Sequence, residues 1–298
     1  MGQQILEVPV SGGSLVVTAV GSSLDGAPVV VLLHGLTGSH KIWQLVTSRL
    51  DHSVRYITLD FRGRGENVEM SGPWGLEQHV ADIAAVLDYF DVSNALLVGY
   101  SMGGFVATRI AELRPDTVSS IVLIEGGVMA SVPLGSTPAE ALQAFLGPTW
   151  ECITGVYRSR LDYLHAWRSH PALRSSSQAI IDGYASYSAA GTSPRIRSRL
   201  QIEALYADAN DLFSDSHATT SLARIAHPVE LLRTSRGPHD TLHPVVASQT
   251  AAEYCQVKTN LTVLTVPGVN HLTILLSAKG TDAVLASVQR QLLNGQQP

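Results

Sequence analysis

Cysteine is scarce in this sequence, with only Cys152 and Cys255 among 298 residues. Two cysteines at no metal-ligand spacing exclude a disulfide framework and a thiolate zinc site, and they point to a reduced, cytoplasmic protein. Basic residues are the minority charge, 20 against 25 acidic ones for a net charge of −5. With no sustained basic run, the footprint needed to bind nucleic acid or an anionic membrane is missing. No apolar run reaches the roughly 18 residues of a membrane span. The start, Met1-Gly2-Gln3-Gln4-Ile5-Leu6, lacks the basic and apolar regions of a secretory leader, and Leu6 stands where a myristoylation signal needs Ser or Thr. A small-molecule substrate is the partner left by elimination, with neither nucleic acid nor membrane expected.

What is present is a core-forming chain: 45% of the residues are apolar and 15% charged. Its length gives room for one main domain and an insertion. Short β-branched runs alternate with amphipathic stretches. Val29 to Leu33, Val54 to Leu59, Ala95 to Val98 and Ser120 to Ile124 are near-continuous apolar runs, as strands buried on both faces of a parallel sheet require. Ile42 to Leu50, Leu76 to Phe90 and Phe105 to Leu113 carry helical spacing between them. Ile5 to Val10 and Ser14 to Val20, joined by Ser11-Gly12-Gly13, predict an antiparallel hairpin at the sheet edge. From about Gly126 to Ala226 the alternation stops and tyrosines and tryptophans accumulate. It resumes with strands at Val229 to Leu232 and Leu261 to Val266 and helices at Val245 to Tyr254 and Asp282 to Leu293. The expectation is an α/β fold with a mostly parallel eight-stranded sheet, helices on both faces and a discontinuous main domain. Residues 1–126 and 227–298 form that domain, and 127–226 an inserted, mainly helical cap.

One motif carries chemistry. Gly99-Tyr100-Ser101-Met102-Gly103 is a G-x-S-x-G sequence lying between the strand that ends at Val98 and a helical pattern that begins near Phe105. A sharp strand-to-helix turn needs small neighbours and presents the serine hydroxyl at the carboxyl edge of the sheet. The following helix aims its positive end there, which favours developing negative charge.

With His34-Gly35-Leu36 after the first buried strand, Ser101 in this setting resembles the α/β-hydrolase family, over most of the chain outside the insertion. The resemblance implies that Leu36 and Met102 supply the backbone N–H groups of an oxyanion hole. It implies structural duties for His34, for Trp43, and for Asp60 and Arg62 in the D-x-R-G-x-G loop from Asp60 to Gly65.

A serine hydroxyl is a weak nucleophile that needs a base within hydrogen-bond reach. Of eleven histidines, His271 stands in Val266-Pro267-Gly268-Val269-Asn270-His271, after the last strand, where the resemblance places the base; His227, His239 and His243 stand near the preceding strand. Two carboxylates qualify as the acid that orients it. Asp240, in Gly237-Pro238-His239-Asp240-Thr241-Leu242-His243-Pro244, fits the family's G-x-x-D-x-x-x-P loop and is favoured; Glu125, ending an earlier strand, is the alternative.

Serine in place of aspartate disfavours dehalogenase and epoxide-hydrolase chemistry and leaves acyl transfer to water, with no metal or organic cofactor required. The expected activity is hydrolysis of an ester or lactone of a small, largely apolar substrate through a Ser-His-Asp triad. The alternatives are carbon-carbon bond or thioester hydrolysis, or a slow-turnover ligand receptor on the same scaffold. Leu272-Thr273-Ile274 after His271 lacks the aromatic expected for carbon-carbon cleavage. Trp150, Tyr157, Tyr163, Trp167, Tyr184 and Tyr187 are the insertion's pocket-lining candidates.

Overall fold

The computed structural model describes residues 3–24, 26–128, 136–214 and 217–294. Met1 and Gly2, at the chain start, and 129–135 and 215–216, within the insertion, lie outside the described residues. The strands are β1 (Gln4–Val10), β2 (Gly13–Gly21), β3 (Val29–Leu33), β4 (Arg55–Leu59), β5 (Ala95–Tyr100), β6 (Val118–Ile124), β7 (Val229–Thr234) and β8 (Leu261–Val266). They form one eight-stranded sheet in the order β1-β2-β4-β3-β5-β6-β7-β8. The β1-β2 hairpin is antiparallel and β2 runs antiparallel to β4, whereas every pairing from β4 to β8 is parallel. The apolar runs are the strands buried in its middle: Val30 to Leu33, Ala95 to Val98 and Ile121 to Ile124 are almost wholly withdrawn from solvent.

Two helices sharpen the sequence expectations. The one after β5, α2 (Met102–Leu113), begins directly behind Ser101, three residues before the helical pattern near Phe105; it packs against α1 (Leu76–Tyr89). The segment Ile42 to Leu50, expected as one helix, is instead a 3-10 turn at His40–Trp43 followed by a single α turn at Gln44–Thr47.

Between β6 and β7 the described residues carry α3 (Pro138–Leu146), α4 (Pro148–Thr154), α5 (Arg160–Arg168), α6 (Gln178–Ser188) and α7 (Ile202–Leu212). Thr137 opens α3 with a capping box, its hydroxyl accepting from Glu140 N while a Glu140 carboxylate oxygen accepts from Thr137 N at 2.8 Å. This insertion is bolted to the main domain by buried charge. Asp208 of α7 pairs with the fully buried Arg64, lies 3.0 Å from His79 Nε2 and accepts from Gly75 N at 2.9 Å. Burial opposes ionisation of Asp208 most strongly, but Arg64 and His79 outweigh it and hold its pKa at about 2. Asp60 is a second bolt, accepting from the Tyr187 hydroxyl of α6 and from His40 N at 2.6 Å.

Candidate active site

Ser101 occupies the turn between β5 and α2 with φ 53° and ψ −120°, a strained conformation for a residue with a side chain. Its neighbours make room for it. A Cβ on Gly103 would lie 2.3 Å from the Leu33 carbonyl oxygen, and one on Gly99 would lie 2.4 Å from that of Gly103. Only glycine lets the turn pack this closely on β3. Ser101 N donates to Ile124 O at 2.9 Å, tying the turn to the end of β6.

Beside it, the turn from Gly35 to Gly38 is closed by Gly38 N donating to Gly35 O at 3.0 Å. Beneath this turn, His34 Nε2 accepts from Phe61 N at 2.9 Å, so the ring is neutral and its Nδ1–H donates to Gly35 O at 2.7 Å. Desolvation lowers the His34 pKa to about 4, in keeping with that tautomer. From the other side Arg64 Nε donates to Leu36 O at 3.1 Å. Leu36 and Met102 are both buried and both line cavities that contain Ser101.

His271 reaches the same cavity from the loop after β8. Its ring is 5.6 Å from Phe145, edge to face, and 4.9 Å from Tyr100, whose hydroxyl donates to His271 O at 2.7 Å. Facing its Nδ1 is Glu125 Oε2 at 3.7 Å, with the Glu125 side chain wholly buried and φ 48° turning it off the end of β6. Two backbone donors hold that carboxylate, Thr234 N at 2.7 Å and Val245 N at 3.3 Å.

Asp240, favoured from its loop, is placed differently. Its Oδ1 accepts from Arg236 Nε at 2.6 Å and from Asn270 Nδ2 at 3.1 Å, and it lies outside ion-pair distance of His271 among the described residues. Burial pushes against its ionisation, but the bonds from Arg236 and Asn270 prevail and hold its pKa below the usual value. The structure therefore brings Ser101, His271 and Glu125 to one place and sets Asp240 one residue away, on Asn270. Two of the competing histidines are engaged elsewhere: His239 Nε2 donates to Phe145 O at 2.9 Å and His227 Nε2 to Pro115 O at 2.9 Å.

Two cavities meet at Ser101, sharing Leu36 and Phe145 as walls. One, of about 30 Å³, holds His271, Thr149 and Tyr184. The other, of about 40 Å³, is lined mostly by Met102, Phe105, Val128, Leu212, Phe213 and Val245. Of the six aromatics expected to line a pocket, Tyr184 does so. Trp167 packs edge to face on Tyr184 and Tyr163 on Tyr157, as insertion core. Phe145 and Phe213 were missed. Phe145 was readable in principle, since the T-P-A-E capping signal at Thr137 announces an amphipathic helix whose apolar side contains it.

The α/β hydrolase fold family matches residues 28–150 of this chain. The chain is 34% identical over 123 residues to the dihydrolipoyllysine-residue acetyltransferase component of the acetoin cleaving system of Pseudomonas putida, covering 41% of this chain and 32% of that protein. It is 33% identical over 125 residues to the lipase LipV of Mycobacterium tuberculosis, covering 41% and 45%. In both cases the match spans less than half of the relative. Across almost the whole chain, the fold is that of E-2-(acetamidomethylene)succinate hydrolase, with a TM-score of 0.79, 20% identity and coverage of 98% and 99%.

Proposed function

We propose that this chain, which has the α/β-hydrolase fold, is a serine hydrolase acting on an ester or lactone with a small, apolar acyl group. The observation that carries the proposal is the convergence of a strained Ser101, a buried His271 lining the same cavity and a Glu125 carboxylate 3.7 Å behind the imidazole. In this reading Ser101 Oγ attacks the carbonyl carbon while His271 takes its proton. Glu125 orients the ring and stabilises the imidazolium. The Leu36 and Met102 amides stabilise the oxyanion. His271 then protonates the leaving group, and a water activated by the same histidine releases the acid from the acyl-enzyme.

The same proton transfer orients the substrate. The leaving group must face the base, so it occupies the cavity that His271 and Thr149 line, and the acyl group takes the apolar cavity beside Phe105, Leu212 and Phe213. Ser101 and Glu125 are the polar side chains of that lining, and the Glu125 oxygens already accept from Thr234 N and Val245 N, so the remaining apolar wall favours an apolar acyl group. Helices α3 to α7 and the residue that ends α7 act as the cap, supplying Phe145, Thr149, Tyr184, Leu212 and Phe213 to the two cavities.

The test is turnover of a panel of p-nitrophenyl esters and lactones by wild type and by Ser101→Ala. Sustained turnover of short apolar acyl esters, reduced at least about a thousandfold in Ser101→Ala, is the expected result. A single stoichiometric burst, or turnover indifferent to Ser101, refutes it.

A further inference from the structure

Asn270, next to His271 in the chain, is 2% exposed and uses all of its hydrogen-bonding capacity. Its amide oxygen accepts from Leu272 N at 3.0 Å and from Thr273 N at 2.9 Å. Its Nδ2 donates to Ala172 O at 2.8 Å and to Asp240 Oδ1 at 3.1 Å. The backbone joins in, with Asn270 N donating to Thr273 Oγ1 at 2.8 Å and Asn270 O accepting from Ile274 N at 3.0 Å. A primary amide offers two donors and two acceptor sites, and here all four are engaged. Exchanging its oxygen and nitrogen would set N–H against N–H and oxygen against oxygen, so the network allows one orientation.

The two ends of that amide hold different things. The oxygen closes the turn from Asn270 to Thr273 in which His271 sits. The nitrogen grips Ala172, in the short turn Pro171–Leu173 between α5 and α6 of the cap, and Asp240, on the loop after β7. Arg236 completes the chain by pairing with Asp240, which keeps that acceptor ionised. We propose that Asn270 is the positioning residue of His271, and that through the Ala172 carbonyl it makes the placement of the base depend on a docked cap. Asp240, on this view, orients the Asn270 amide and not the imidazole. The inference rests on the reading of His271 as the base.

The physical reason is leverage. The imidazole must meet both Glu125 and Ser101, and its reach to either is set by the backbone of the turn that Asn270 closes. A displacement of about 1 Å at such a group costs on the order of a hundredfold in rate.

Asn270→Asp tests this, because it keeps the shape and the acceptor toward Leu272 and Thr273 and replaces the donors by an oxygen facing Ala172 O and Asp240. Asp240→Gly is the second variant. It removes one partner of the amide at a position whose φ of 61° glycine adopts freely. The readouts are kcat and KM on a p-nitrophenyl ester, the pH profile of kcat/KM, and the rate of Ser101 labelling by a fluorophosphonate, each below the melting temperature of the variant. Expected are a fall in kcat of about a hundredfold for Asn270→Asp and about tenfold for Asp240→Gly, with KM within about threefold of wild type. For Asn270→Asp the limb of the profile assigned to His271 moves upward, as a new neighbouring carboxylate favours the imidazolium.

Wild-type kcat, profile and labelling rate in folded variants overturn the inference, as does a loss of stability alone with the profile unmoved. Should Asn270→Asp fail to fold, Asp240→Gly decides. Turnover that survives in His271→Ala overturns the assigned base and this inference together, whereas wild-type behaviour confined to the Asn270 and Asp240 variants overturns the inference alone.

Discussion

Glu125 and Asp240 both follow strand ends in the left-handed region, with φ 48° and 61°, so backbone geometry alone does not separate them. Their surroundings do. Glu125 is withdrawn from solvent, with two backbone N–H groups as partners and one oxygen toward His271; Asp240 is about one-third exposed and already engaged by an arginine and an amide. Glu125→Gln is expected to lower kcat on the order of 10⁴-fold, as loss of the orienting carboxylate does in a serine triad. Asp240→Asn, which retains an oxygen acceptor for Asn270, is expected to lose less than about tenfold. Ester turnover by the two folded variants decides, and the reverse ranking returns the acid role to Asp240. Why the loop around Asp240 does not set its carboxylate against His271 is physical. Its turn residues are legible locally, but which carboxylate an imidazole faces depends on how the loops after β6, β7 and β8 converge, and no spacing along the chain encodes that.

At the scale of elements, strands were more legible than helix boundaries. A strand buried on both faces must be apolar at successive positions, so Val29 to Leu33 announced itself with the bounds the structure has, and the edge strand Leu261 to Val266 was legible from its β-branched content although half of its positions are exposed. The start of α2 did not, because Met102-Gly103-Gly104 is a poor helical opening by propensity; close packing of Gly103 on the Leu33 carbonyl imposes the helix there. The helix expected from Val245 begins instead at Ser248, in Ser248–Val257, since the preceding backbone serves other groups: Val245 N donates to Glu125 and Val246 O accepts from Arg233. The attachment of α7 was not legible at all, for Asp208 reads as an ordinary helical acid until Arg64 is seen beneath it. Asp208→Asn leaves the Arg64 guanidinium buried without its counter-charge, which costs about 3–5 kcal/mol. Urea unfolding should show the midpoint falling accordingly, and an unchanged midpoint would remove the ion pair from the account of how the cap is held.

For the whole molecule, buried titratable groups set the acid limit of stability. His34 and His170 are each held neutral by desolvation at a pKa of about 4 in the fold, against an ordinary 6.5. His170 Nδ1 accepts from Ala172 N, so its Nε2–H donates to Thr149. Between pH 6.5 and 4 the unfolded chain takes up protons at these sites and the folded chain does not, so stability falls as pH falls, by roughly 3 kcal/mol for His34 alone. Asp60 and Asp208, each at about 2 against 3.8, add a second decline between about pH 4 and 2, as the folded state loses its paired carboxylates. Denaturation midpoints should be level above about pH 7 and drop between pH 6.5 and 4.5; a flat profile there contradicts the neutral histidines.

The Arg64 contacts also bear on ancestry and on engineering. One guanidinium holds Asp208 in the insertion and the Leu36 carbonyl beside Ser101, so the insertion is not an exchangeable accessory. A graft from a relative with no acid opposite Arg64 would strand a charge under the turn from Gly35 to Gly38 and loosen the floor of the Ser101 cavity along with its roof. Productive chimaeras of this scaffold must carry positions 64 and 208 as a single inherited unit.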